Sequence, residues 1–149
     1  VLAAAGFEPI SAGDQRAAEL GAAAGWRRGC LELWVGPGRF ARWAAWGELG
    51  LATAGTATEQ LVGLGIGALS LPGPGPQFKP GFARRQSRLL GGAVQPCHSA
   101  AELRQRLLAL LADPAQRRRL GRIGRRRMGP AGGSERLAGL INGQLLGGG

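Results

Sequence analysis

Between Leu49 and Pro72 the sequence runs LGLATAGTATEQLVGLGIGALSLP, in which two apolar runs flank a helix-forming stretch and glycine stands at each change of direction. The pattern predicts a strand at Leu49–Thr53, a helix at Thr56–Leu64 and a strand at Ile66–Leu71 that stops at Pro72, where the ladder loses a donor. Thr56 and Glu59 have the spacing of a capping box at the start of that helix, and Gly65 ends it. A helix between two strands makes them parallel neighbours, because a tight turn joins only antiparallel ones. The unit therefore commits the chain to an α/β fold, an open parallel sheet with helices on its faces.

The flanking sequence extends the alternation. Asp14–Ala24 holds helix formers behind an Asp cap, and Cys30–Val35 alternates apolar and polar residues as a strand that runs into Gly36-Pro37-Gly38. Arg39–Trp46 places Phe40, Trp43 and Ala44 on one face of a short helix. Pro72–Gly81 is too rich in proline and glycine for regular structure and reads as a long loop. A helix resumes at Phe82–Leu90, followed by a stub of strand at Ala93–Val94.

From there the chain is helical. Ser99 and Glu102 form a capping box that opens a helix to Ala112, with Leu103, Leu107, Leu110 and Leu111 on one face. Asp113 followed by Pro114 predicts a new helix to Met128, since proline suits the first helical position. Ser134 would cap a last helix carrying Leu137, Leu140, Ile141 and Leu145. Residues 1–149 read as one domain with a helical C-terminus.

A chain of 149 residues buries about two-thirds of its unfolded surface in a single core. With 5% aromatic residues that core must come from Leu, Ala, Val and Ile. The apolar stretch Leu61–Leu71 is too short and too broken by glycine to cross a bilayer. Val1 is followed by no basic and apolar leader, which reads as a segment of a longer protein without a signal peptide. Cys30 and Cys97 are too few for a disulfide framework and are expected as free thiols in a reducing cytoplasm. No spacing of ligand residues suggests a metal. Charge is lopsided: residues 1–74 carry a net of −1 and residues 75–149 a net of +11. All but one of the basic residues are Arg, a bias that GC-rich coding produces without functional need.

In an open α/β sheet, ligands bind beyond the carboxyl ends of the strands. The loop Ala52-Thr53-Ala54-Gly55-Thr56-Ala57-Thr58 meets that condition and enters a helix N-terminus, whose free N–H groups and positive dipole end suit phosphate. Thr56 acting only as a helix cap is the plainer alternative.

The segment Glu48–Gln60, followed by Gly65-Ile66-Gly67-Ala68-Leu69-Ser70-Leu71-Pro72, resembles the donor-binding half of GT-B glycosyltransferases, with the nearest similarity to lipid-A-disaccharide synthase and its relatives. The stretch Leu107–Gly121 is similar to the tail helices of the same enzymes. The resemblance implies the C-terminal half of a GT-B fold, a Rossmann-like sheet that binds a UDP-sugar as donor substrate with no other cofactor. It implies that Gly55, Thr56, Ala57 and Thr58 meet the donor diphosphate, that Gly36, Pro37, Gly38 and Arg39 lie by the uracil, and that Gln77, Arg84 and Gln86 approach the sugar. Gln60 stands one residue from Glu59, at the position where the family has a ribose-binding Glu. The acceptor, lipid-linked or saccharide, and the catalytic residues would belong to an N-terminal domain outside these residues. A UDP-sugar 2-epimerase shares the fold but needs an acidic cluster that the sequence does not show.

Other signals point elsewhere. Gly63-Leu64-Gly65-Ile66-Gly67 leaves a helix and enters a strand, the reverse of a dinucleotide fingerprint. His98 has no patterned acid or nucleophile and reads as a loop residue. Seven arginines between Arg117 and Arg127 spread around one helix, leaving Leu120, Ile123 and small residues for the core. They read first as a solvated face and next as a contact for an anionic membrane surface, peripheral on the inner membrane. Without interleaved aromatic residues, nucleic acid is not expected. A basic module that docks on an anionic membrane or nucleic acid without chemistry is the competing reading.

Overall fold

A computed structural model describes residues 1–11, 13–73 and 78–146. The chain forms two compact units, Val1–Gly47 and Glu48–Gly149. Each has its own three-stranded sheet, where the sequence predicts a single one.

The first unit is built on an antiparallel sheet of β1 (Glu8–Pro9), β2 (Ala24–Arg28) and β3 (Leu31–Val35). The predicted strand at Cys30–Val35 is thus present, but it belongs to a hairpin and not to a parallel sheet. Its partner β2 occupies the end of the helix predicted at Asp14–Ala24. That helix, α1, covers only Gln15–Leu20: Asp14 caps it by accepting the Arg16 N–H at 2.8 Å, and Gly21 closes it at φ 63°. Between Arg28 and Leu31 the two-residue turn has Gly29 first, at φ 59°, as a type II′ hairpin requires. The short helix α2 follows at Phe40–Ala44, and the Trp43 indole donates to the Leu20 carbonyl at 2.9 Å.

The second unit is the predicted α/β arrangement in compact form. Strands β4 (Gly50–Ala52), β5 (Ala68–Ser70) and β6 (Val94–Pro96) are parallel, in the order β4-β5-β6. Helix α3 (Thr56–Gly63) connects the first two, and α4 (Pro80–Leu89) connects β5 to β6. The stub expected at Ala93–Val94 is a full edge strand that tolerates Pro96 at its end. Helix α4 begins inside the predicted loop because Pro80 sits in its first turn, where its fixed φ suits the helix.

The tail helices lie where predicted. They are α5 (Ala100–Ala112), α6 (Pro114–Met128) and α7 (Gly133–Ile141), the last continued by wide π-type turns over Asn142–Leu146. Ser99 caps α5 through the Glu102 N–H at 3.1 Å, and Asp113 caps α6 through the Gln116 N–H at 2.9 Å. Ser134 does not cap α7, whose N-cap is Gly132 at φ 87°.

The core has two parts. Val62, Ala68, Leu90, Ala93 and Val94 form one cluster, and Leu69, Cys97, Leu110 and Leu120 the other. Because side chains alternate along a strand, Ala68 and Leu69 serve opposite faces of the sheet. Helix α6 approaches α3 backbone to backbone. A methyl group at Gly121 would collide with the Gly65 carbonyl oxygen, and one at Gly124 would lie 2.7 Å from the Val62 oxygen. Both cysteines are free thiols, Cys30 exposed and Cys97 buried, and burial raises the Cys97 pKa. No helix among the described residues is long and apolar enough to cross a membrane.

Candidate functional site

The parallel strands of the second unit all end on one edge of their sheet, and the loop from Ala52 to α3 opens there. The predicted capping box does not form. Gly55 is the N-cap, at φ −85° and ψ −85°, and no side chain caps the helix. Its carbonyl accepts the N–H groups of Thr58 and Glu59 at 3.0 and 3.2 Å. Thr58 is buried, and its hydroxyl donates to the Ala54 carbonyl at 2.6 Å, tying the loop to the first helical turn. A small hydroxyl residue at that position thus serves the loop's own geometry.

The N–H groups of Gly55, Thr56 and Ala57 remain. Among the described residues no carbonyl or side chain accepts them, as expected at a helix start. Thr56 and Ala57 are exposed, and Gln60, one turn on from Thr56, is exposed as well.

Gln86 of α4 supports this loop from beneath. Its Nε2 donates to the Gly55 carbonyl at 3.0 Å, and its side chain is 2% exposed. In a trans peptide the N–H points opposite to the carbonyl, so fixing the Gly55 carbonyl inward turns the Thr56 N–H outward. Phe82, one turn before Gln86, lies 3.5 Å from where a Gly55 methyl group would stand. Among the described residues Gln86 Oε1 is buried with no partner, and Ser70 Oγ, at the carboxyl end of β5, is in the same condition. A buried polar atom without a partner costs about 1–3 kcal/mol.

Gly36, Pro37, Gly38 and Arg39 lie in the Val1–Gly47 unit, where Arg39 Nε donates to the Gly21 carbonyl at 3.3 Å. Gln77 lies outside the described residues. Arg84 is on α4 but on a different face from Phe82 and Gln86, in a cleft with Ser87, Arg88, Pro96, His98 and Arg106. Ser70 and Phe82 were not singled out in the sequence. The spacing of Phe82 and Gln86, four apart on one helix, is the signal that groups Phe82 with Gln86.

Part of the arginine run is structural. Arg117 donates to the carbonyls of Leu110 and Leu111 at 2.6 Å each and pairs with Glu48 at 3.3 Å. Arg125 donates to the Leu64 carbonyl at 2.9 and 3.2 Å, closing the end of α3. Arg118, Arg119, Arg122, Arg126 and Arg127 are exposed, with no carboxylate partner among the described residues.

Among the described residues no group of three His, Cys, Asp or Glu side chains could hold a metal ion. Comparison with known proteins finds no match: no family model, no curated protein and no solved structure is significantly similar to the chain.

Proposed function

We propose that the Glu48–Gly149 unit binds a nucleoside diphosphate sugar through its diphosphate, on the N–H groups of Gly55, Thr56 and Ala57. The observation that carries the reading is the support of this loop by buried Gln86, which fixes the Gly55 carbonyl inward while its own Oε1 has no partner among the described residues. A helix start alone is common; a buried amide placed under it with spare acceptor capacity marks a polar site. On the resemblance of Glu48–Pro72, the ligand is a UDP-sugar and the larger activity is that of a glycosyltransferase related to lipid-A-disaccharide synthase. For this chain the reading is donor binding, with Gln60 available to the ribose.

Thermal melting tests it. UDP should raise the melting temperature of the second unit and uridine should do so far less. Ala57→Glu separates binding from folding, because a carboxylate in the first turn favours the helix by about 0.3–1 kcal/mol while repelling a diphosphate. The expected result is an unchanged or raised melting temperature without ligand and no response to UDP. Equal responses to UDP and uridine, or a UDP response that survives Ala57→Glu, would remove the diphosphate from the reading.

A second reading has its own observation, the exposed row of Arg118, Arg119, Arg122, Arg126 and Arg127, without carboxylate partners among the described residues. A basic module of this kind would be held by an anionic surface and released by salt, since screening acts beyond about 8 Å at physiological ionic strength. Arg118→Gln with Arg122→Gln tests it, whereas Arg125 must be left alone because it closes α3.

A further inference from the structure

A concave site lies on the other side of α4 from the Gly55 loop, a cleft of about 390 Å³ lined by Arg84, Ser87, Arg88, Pro96, His98 and Arg106. The helix period separates the two: Phe82 and Gln86 turn toward Gly55, whereas Arg84, Ser87 and Arg88, also spaced one turn apart, face the cleft. Helix α5 supplies Arg106 and the β6–α5 connection supplies His98, so three arginines from two helices and a histidine line one opening.

Their charges are poorly compensated. Among the described residues no carboxylate lines the cleft. Arg106 Nη2 pairs with Glu102 Oε1 at 2.7 Å, and the other oxygen of that carboxylate accepts the His98 backbone N–H at 2.7 Å. That hydrogen bond, foremost, holds the Glu102 pKa below its ordinary value, so the carboxylate is charged and already committed. Among the described residues neither Arg84 nor Arg88 pairs with a carboxylate or donates a side-chain hydrogen bond. Like charges repel unless an anion joins them. Arg106 is held in place by Glu102, while the two α4 arginines keep all their donors for a ligand.

The geometry points to a binding site for a phosphate monoester group in this cleft, distinct from the diphosphate site at Gly55. Three guanidinium groups offer more directed donors than the two oxygens of one carboxylate can accept, whereas a terminal phosphate presents three oxygens and a second negative charge. Ser87 adds a hydroxyl donor and the His98 ring a further nitrogen, while Pro96 gives the cleft an apolar side on which the rest of a phosphoester can rest. The phosphate could be carried by a soluble phosphoester or by a lipid headgroup, and both present the same group.

The test is a titration of the whole chain with inorganic phosphate at constant ionic strength, followed by the NMR signals of the arginine side chains and of His98. Saturable shifts confined to Arg84, Arg88, His98 and Arg106 are expected. Arg84→Gln with Arg88→Gln should weaken binding by about tenfold or more, the loss of a charge-assisted pair. Both residues are exposed and hold no other element, so the melting temperature should not fall. Arg85→Gln, the same kind of substitution on α4 outside the cleft, should leave binding intact. Shifts that never saturate, that spread equally to Arg118 and Arg122, or that fall as much in Arg85→Gln as in the double variant would overturn the site.

Vesicles of phosphatidylcholine with and without phosphatidic acid assign the source. Retention on phosphatidic acid that the double variant loses makes it a lipid headgroup. Retention that the double variant leaves unchanged, with its phosphate titration lost, makes it a soluble phosphoester. Ala57→Glu should keep the full phosphate response at Arg84 and Arg88, so failure of the diphosphate reading and failure of this one give different results.

Discussion

Glu32 gathers two hydrogen-bond donors and a further cation around one carboxylate. Arg27 Nη2 reaches it at 2.7 Å, the Trp34 indole at 3.1 Å and Arg16 Nε at 3.5 Å. These partners, the Arg27 hydrogen bond foremost, lower its pKa from the ordinary 4.5. A carboxylate with a depressed folded-state pKa contributes stability that is present above its unfolded pKa and lost as pH falls through the folded one. The Val1–Gly47 unit should therefore lose stability below about pH 4.5, and Glu32→Gln should flatten that part of the profile while weakening the unit at neutral pH. All four tryptophans, Trp26, Trp34, Trp43 and Trp46, belong to this unit, so tryptophan fluorescence measures it alone. An acid midpoint identical in the wild type and Glu32→Gln would remove the carboxylate from the account.

At the scale of elements, what the sequence showed best were features with a local cause. Asp113-Pro114 marks the start of α6 because cap and first-turn proline act within four residues, and the Ser99–Glu102 pair marks α5 for the same reason. The βαβ unit from β4 to β5 was legible from its glycines and apolar runs. Misreadings came where tertiary partners decide. Ala22–Ala24 looks helical, but Gly21 stops α1 and Ala24 pairs across to Val35, opening β2. Thr56 looks like a cap, but Thr58 reaches back to Ala54 and leaves the cap to Gly55. The support of the loop by Gln86 spans distant parts of the chain and had no local signal. The α3–α6 contact carries the sharpest prediction at this scale. Alanine favours a helix interior over glycine by about 1 kcal/mol, but Gly121→Ala must displace the Gly65 carbonyl, and overpacking costs about 1–3 kcal/mol. Because backbone cannot swing aside as a side chain can, the loss should win and chemical denaturation should show a net decrease. Gly139→Ala, with open space around it in α7, should show no such decrease.

For the whole molecule, charge divides along the same boundary as the two units: residues 1–47 carry a net of +1 and residues 48–149 a net of +9. Self-repulsion therefore acts mainly in the α/β unit, and salt should relieve it there. Raising ionic strength should shift the melting midpoint read by far-UV circular dichroism upward more than the midpoint read by tryptophan fluorescence. Equal shifts would place the repulsion in both units. The close passage of α6 over α3 has another consequence, for recognising this fold elsewhere. Arginine and alanine can be exchanged over much of its surface without touching the core, so overall identity is a poor guide to kinship for such a chain. Positions 65, 121 and 124 have no such freedom, because any side chain at the last two would push two backbones apart. A glycine closing the helix of a βαβ unit, matched by a Gly-x-x-Gly pair in a later arginine-rich helix, is a signature by which distant kin could be found after the rest of the sequence has drifted.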